Sequence, residues 1–315
     1  MHQGFSNPVL AQRFKEFIAL NTDRYRMLKF LLDELHFRPQ VITIAGNRHL
    51  FLSSPDQGPV KCWPPGKQNI IILVAHYDRV ANSPGANDNS AAVFELIEAA
   101  LQLRQIRAHS WLIIFTDKEE LHHGEGIRDQ GSYTLAKGLR DIGFGNSRFY
   151  IFDACGSGDT LIISTMADHV MRDEQGPGIV KTRHLVQRLR NQALETVRYL
   201  NMDRVGLIPT PFSDDAGFLR AGIVAQTITV LPSAEAAAFG ALVRNKPDFA
   251  DVLVNREVQG IYDQQRIPAT WRRLNGPEDS YDRLTPQFFS QVVRFICALC
   301  RNTCGGRGDF LVVRK

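Results

Sequence analysis

Apolar residues along this chain follow two alternating patterns. Residues 69–75 (Asn-Ile-Ile-Ile-Leu-Val-Ala) and 110–116 (Ser-Trp-Leu-Ile-Ile-Phe-Thr) are almost unbroken apolar runs, as expected of strands buried on both faces. Residues 148–153, 160–164 and 225–230 supply three more strands. Between them, residues near 89–104, 132–139 and 183–199 repeat their apolar positions at helical spacing. Such alternation predicts an α/β fold of three layers, with a mostly parallel central sheet and helices on both faces.

The flanks differ. Residues 9–36 carry a helical stripe of Phe14, Phe17, Ile18, Tyr25, Leu28, Leu31 and Leu32, with Asn21-Thr22-Asp23 as a break and a new cap. Residues 41–44 and 49–52 bracket Ala45-Gly46-Asn47-Arg48, which predicts a hairpin. Residues 55–67 are rich in Pro and Gly and read as loop. From 232 to 274 the pattern loses regularity, as in an excursion or lid, and residues 286–301 form a last amphipathic helix. One domain over residues 1–315 accounts for the whole pattern.

Composition narrows the function. With 44% hydrophobic and 22% charged residues, the 315-residue chain is globular and can bury a large core. Its net charge is only +4, and the densest basic stretch, residues 181–190, has its apolar residues at helical spacing. That describes a solvated helix face, so no nucleic-acid partner is expected. No run of about 18 apolar residues is present, so no membrane span is expected. The first eight residues lack the charged start and apolar core of an export signal, and Cys62, Cys155, Cys297, Cys300 and Cys304 are not spaced as a disulfide framework. The expectation is a reducing, cytoplasmic setting. Cys297-Ala-Leu-Cys300 lies within the last helix and has no second pair, so both are read as core cysteines. Arg307-Gly308-Asp309 is read as part of a flexible tail.

In open α/β sheets, ligands bind beyond the carboxyl ends of the strands. Three successive strands here end in metal-type residues: His76-Tyr77-Asp78, then Asp117-Lys118-Glu119-Glu120, then Asp153. Between the first two, Gly85-Ala-Asn-Asp88-Asn-Ser opens a helix with a carboxylate at its positive end. Singly, each motif has an ordinary reading. Asp after a strand is commonly a cap, paired glutamates are commonly solvated, and a lone histidine is commonly a satisfied buried one. Together they converge on one rim, and imidazole with several carboxylates suits zinc.

These four ordered motifs resemble the co-catalytic zinc aminopeptidase family, which also contains glutamate carboxypeptidases and glutaminyl cyclases. The match spans residues 69–153, with weaker agreement at 211–215 and 276–285. The resemblance implies a zinc exopeptidase (phosphorylase/hydrolase-like) architecture. It implies that Asp88 bridges two zinc ions, that His76 and Asp153 complete one site, and that Glu120 serves the other. It makes Glu119 the general base and Asp78 the residue that orients His76, with a peptide or small aminoacyl compound as substrate.

The sequence departs from the family at one ligand. A histidine normally precedes the motif that here reads Glu278-Asp279-Ser280, and the aligned residue is Asn275; the last histidine in the chain is His184. An amide oxygen is a poorer zinc ligand than imidazole. His122 and His123 are conceivable substitutes, although a solvated loop pair is the simpler reading, and Glu278 and Asp279 are further residues that could supply a ligand. The leading expectation is therefore an aminopeptidase-like hydrolase with one firm and one doubtful metal. The alternatives are a binding protein on a degenerate peptidase fold and a single-zinc acyltransferase resembling glutaminyl cyclases. A Ser-His-Asp hydrolase is excluded because no nucleophile elbow follows a strand.

Overall fold

The computed structural model describes residues 4–54, 58, 60, 70–254 and 264–301. The predicted loop at 55–67, with Cys62, lies almost wholly outside these residues, as do Cys304 and the Arg-Gly-Asp tripeptide. Two capped helices begin the chain. The Asn7 side chain accepts from Val9 N at the start of α1 (Pro8–Phe17), and Asp23 accepts from Arg26 N at the start of α2 (Arg24–Glu34). The hairpin follows as β1 (Gln40–Ile44) and β2 (Asn47–Ser53). Ala45 and Gly46 join them with φ of 50° and 86°, and such two-residue turns match the right-handed twist of paired strands.

The central layer comprises β3 (Ile71–His76), β4 (Trp111–Thr116), β5 (Arg148–Phe152) and β8 (Ala225–Leu231), all but β8 separated by helices in the expected way. Among the described residues the sheet has eight strands in the order β1-β2-β4-β3-β5-β8-β6-β7, with β6 at Thr160–Ser164 and β7 at Val205–Ile208. The middle four run parallel, but β2 is antiparallel to β4 and β6 is antiparallel to β8. "Mostly parallel" thus describes the centre of a mixed sheet. The reversal at β6 follows from its connection: seven residues separate it from β5, and a parallel return needs a crossover of a dozen or more.

On one face the strands pack against α1, α2, α3 (Ala92–Gln105), α6 (Pro177–Tyr199) and α10 (Pro286–Arg301), through residues such as Phe14, Leu73, Phe94, Tyr150, Leu189 and Phe295. On the other, α4 (Gly131–Asp141) and α7 (Asp214–Arg220) cover Ile72, Val74, Ile114 and Ile151. Cys300 is buried and Cys297 half-buried on α10. Two short helices, α5 (Met166–Val170) and α9 (Ala269–Arg272), and the longer α8 (Ser233–Asn245) complete the set. The excursion after residue 232 opens with α8. Its described part packs Phe239, Phe249 and Trp271 against Ile162, Ile208 and Leu231 as a third core. No helix among the described residues is long and apolar enough to cross a membrane.

Candidate metal centre

Strand register assembles the centre. In β3, alternation puts Ile72, Val74 and His76 on the face covered by α4 and α7. His76 pairs with Thr116 of β4, and Val74 pairs with Ile151, which brings Asp153 level with His76 just past the end of β5. His76 is only 1% exposed. Its Nε2 is 3.0 Å from Asp88 Oδ1 and 3.7 Å from Asp153 Oδ1, and its Nδ1 is 3.5 Å from Asp78 Oδ1. One potential ligand atom each from His76, Asp88 and Glu120 lies within 4.8 Å of the other two.

Asp88 is carried on the tight turn Ala86–Ala91, where Asp88 and Asn89 leave helical backbone angles and the peptide between them is cis. Gly85 enters it at φ 58°, and a Cβ there would meet Asp88 O and the Arg24 guanidinium at 2.6 Å, so only glycine fits. The asparagines beside Asp88 tie this turn to the end of β5. Asn89 Nδ2 donates to Phe152 O (2.9 Å) and its Oδ1 accepts from Ala154 N (3.2 Å), so one amide straddles Asp153. Asn87 Oδ1 accepts from Gly156 N at 2.7 Å.

Asp78 does more than its expected part. Besides facing His76, its carboxylate accepts the backbone N–H of Glu119 (3.1 Å) and of Glu120 (3.0 Å). The same side chain thus positions groups on two strand ends. Glu119 Oε1 in turn accepts from Gln130 Nε2 at 3.2 Å. From α7, buried Asp214 accepts the Thr116 hydroxyl, while Asp215 accepts Thr227 Oγ1 at 2.8 Å.

The electrostatics describe a donor set rich in negative charge. Burial disfavours a charged His76, yet Asp153, Asp78 and Asp88 together raise its pKa well above the ordinary value. Asp78 is held below the usual carboxylate value against burial, by His76 and the two backbone N–H groups. Burial raises the others: Glu119 well above its ordinary value, Glu120 to about 9 with help from Asp88, and Asp214 to about 7. Asp88 is raised by burial and by Asp153. Both ring nitrogens of His76 and Oδ1 of Asp153 are buried without a formed hydrogen bond, so their close approaches are charge contacts only. Buried polar atoms are otherwise nearly always paired. Unpaired imidazole nitrogen and carboxylate oxygen converging within reach of one point fit a divalent cation.

Asn275 is exposed, with left-handed backbone at φ 64°, directly before Gly276, whose carbonyl accepts the Ser83 hydroxyl at 3.0 Å. His122 and His123 are exposed, and His122 contributes its backbone N–H to Glu125 Oε2 at 2.8 Å. Sequence reading gave no role to Asn87, Asn89, Asp214 or Arg24, and it named Asp279 only as a possible substitute ligand. The two asparagines could have been suspected from their places beside Asp88. Arg24 could not: it reads as the exposed start of a helix, yet it is 6% exposed and donates to five acceptors around the site, among them Asp78 O (3.1 Å), Gly85 O (3.0 Å) and Ser90 Oγ (2.8 Å).

A sheet whose parallel strands end in such a set of carboxylates around a buried imidazole defines the zinc exopeptidase class. Comparison of sequences agrees: the model of peptidase family M28 matches residues 60–298. The chain belongs to that family. No curated protein matches the sequence. Among solved structures, a glutaminyl cyclase from an Acidobacteriales bacterium superimposes with a TM-score of 0.60 at 16% identity, covering 96% of this chain and 94% of that one. A leucine aminopeptidase precursor from Bacteroides thetaiotaomicron gives 0.59 at 16% identity, covering 93% and 96%. A zinc aminopeptidase from Bacillus subtilis gives 0.48 at 18% identity, covering 81% of this chain. The chain spans 49% of the length of that aminopeptidase. At these identities the likeness is one of fold.

Proposed function

We propose that this chain is a zinc-dependent, aminopeptidase-like hydrolase that removes N-terminal residues from peptides and works with one firmly held ion. The observation that carries this reading is the convergence of His76, Asp88 and Glu120 within 4.8 Å, with the nitrogens of His76 unpaired. His76, Asp88 and Asp153 give the first ion three ligands, the number usual in catalytic zinc sites. Bound zinc supplies an acidified water and polarises the scissile carbonyl. Glu119, not needed as a ligand, is the residue that takes the proton from the attacking water and passes it to the leaving amine. Burial raises its proton affinity above that of an ordinary glutamate. Asp78 fixes the imidazole from its Nδ1 side. A second ion would have Glu120, the shared Asp88 and at most the amide oxygen of Asn275, and would be weakly held.

The test is metal content per chain on protein purified without chelators, with activity assayed on the same sample. One zinc per chain together with release of N-terminal residues is the expected result. Zinc with cyclisation of N-terminal glutaminyl peptides, but no hydrolysis, would make the chain an acyltransferase. Absence of both metal and activity would leave a binding protein on a peptidase fold.

A further inference from the structure

We propose that Asp279 is a positioning residue that holds the Asp88 carboxylate in its metal-binding orientation before any ion arrives. It acts through the backbone of the Ala86–Ala91 turn. Asp279 is 2% exposed, and its two carboxylate oxygens accept from consecutive amides of that turn: Oδ1 from Asn87 N at 2.7 Å and Oδ2 from Asp88 N at 3.0 Å. Its carbonyl accepts Ala86 N at 3.1 Å. Three successive N–H groups of the turn therefore end on one residue, 192 positions away from Asn87 in the chain. The first N–H groups of a helical turn have no partner within it, and Gly85 has no side chain to supply one.

The same segment reaches the other side of the centre. Ser157 donates its hydroxyl to Arg283 O at 2.9 Å, Gly158 N donates to Thr285 Oγ1 at 3.0 Å, and Thr285 N donates to Gly156 O at 2.8 Å. Residues 276–285 thus form a strap, tied at one end to the turn bearing Asp88 and at the other to the loop that follows Asp153. With Asn87 Oδ1 on Gly156 N closing the circuit, the separation of the two carboxylates is set by hydrogen bonds that involve neither of them as acceptor. Ligands already held in place lose less freedom when the ion binds, which raises affinity. The strap has this use even though Asn275, at its head, offers no imidazole.

Chemistry restricts the choice at position 279. Asparagine has one acceptor oxygen, and its NH2 would face a backbone N–H. Glutamate keeps two acceptors on a longer stem. This inference rests on the reading that Asp88 binds zinc, so the experiment separates the two. Zinc is titrated into metal-free wild-type protein, Asp88→Asn, Asp279→Asn, Asp279→Glu and Ser83→Ala, and the metal-free melting temperature of each is recorded. Wild type should show one tight step that Asp88→Asn removes. Asp279→Asn should weaken that step by about 10- to 100-fold, the usual cost of losing a group that supports a ligand, and Asp279→Glu should recover part of the loss. Ser83→Ala removes one bond to Gly276 O and one from Gly85 N but leaves the Asn87 and Asp88 amides untouched, so it should lower the melting temperature yet cost zinc affinity far less than Asp279→Asn. Wild-type affinity in Asp279→Asn would overturn the proposal, as would equal losses of affinity in Asp279→Asn and Ser83→Ala. If Asp279→Asn does not fold, the same comparison is made between Asp279→Glu and Ser83→Ala. No zinc step in wild type would remove the metal reading itself, and this proposal with it.

Discussion

On the side of the centre formed by His76, Asp88 and Asp153, each proposed ligand stands where separate stretches of chain meet. Strand register places His76, the Asn87 and Asp279 bonds hold the turn of Asp88, and the Asn89 amide straddles Asp153. On the opposite side, Glu120 is anchored through its backbone N–H on Asp78, and Asn275 is exposed on a left-handed residue. The contrast concerns the supporting groups more than the ligands. Buried amides and carboxylates surround one side, while on the other Glu120 is half-buried and Asn275 exposed. Metal affinity depends heavily on such supporting contacts, so the two sides should differ in how tightly they hold an ion.

Three substitutions probe this contrast. The largest effect should come from Glu119→Gln, at the border of the two sides. Turnover should fall by roughly 100-fold or more while metal content stays intact, measured by steady-state peptide hydrolysis and metal analysis on one preparation. Metal lost along with activity would make Glu119 a ligand and blur the division. Next comes Asn275→His, which gives the weaker side its imidazole. Zinc titration should change from one tight step to two, and hydrolysis should quicken. Two equally tight steps in the unsubstituted chain would show that another residue already completes the second site. The smallest effect belongs to His122→Ala with His123→Ala: as exposed loop residues, their joint removal should leave the zinc titration unchanged, and a weakened step would make one of them the missing ligand.

The well-supported side was also the more legible one in the sequence, for a physical reason. Strands buried on both faces must be apolar throughout, so β3 and β4 stood out as unbroken runs, and a polar residue at their ends was conspicuous. His76, Glu119, Glu120 and Asp153 were proposed as site residues by that route, and Asp88 by the motif that opens the following helix. Elements without such constraint were missed. β7 is four residues long and only Ile208 in it is buried. α8 buries just Ala236, Phe239 and Gly240, too few to impose a visible period. The direction of β6 was left open because apolar content reveals burial and says nothing of polarity; the short link from β5 carries that information. Arg24 escaped, and Asp279 was read only as a possible substitute ligand, because their partners are mostly backbone groups, which leave no trace in the identity of the partner residue.

Arg24 bears on how much chain is needed for a working centre. The family match begins at residue 60, which would suggest that everything earlier is a dispensable extension. Yet the guanidinium on the second helix occupies the space beneath Gly85 and binds the carbonyls of Tyr77, Asp78, Pro84 and Gly85. A chain trimmed to the matched region would leave these carbonyls facing a hole the size of an arginine side chain. The smallest self-sufficient unit therefore starts at least at the Asp23 cap of α2, well upstream of the first recognisable motif.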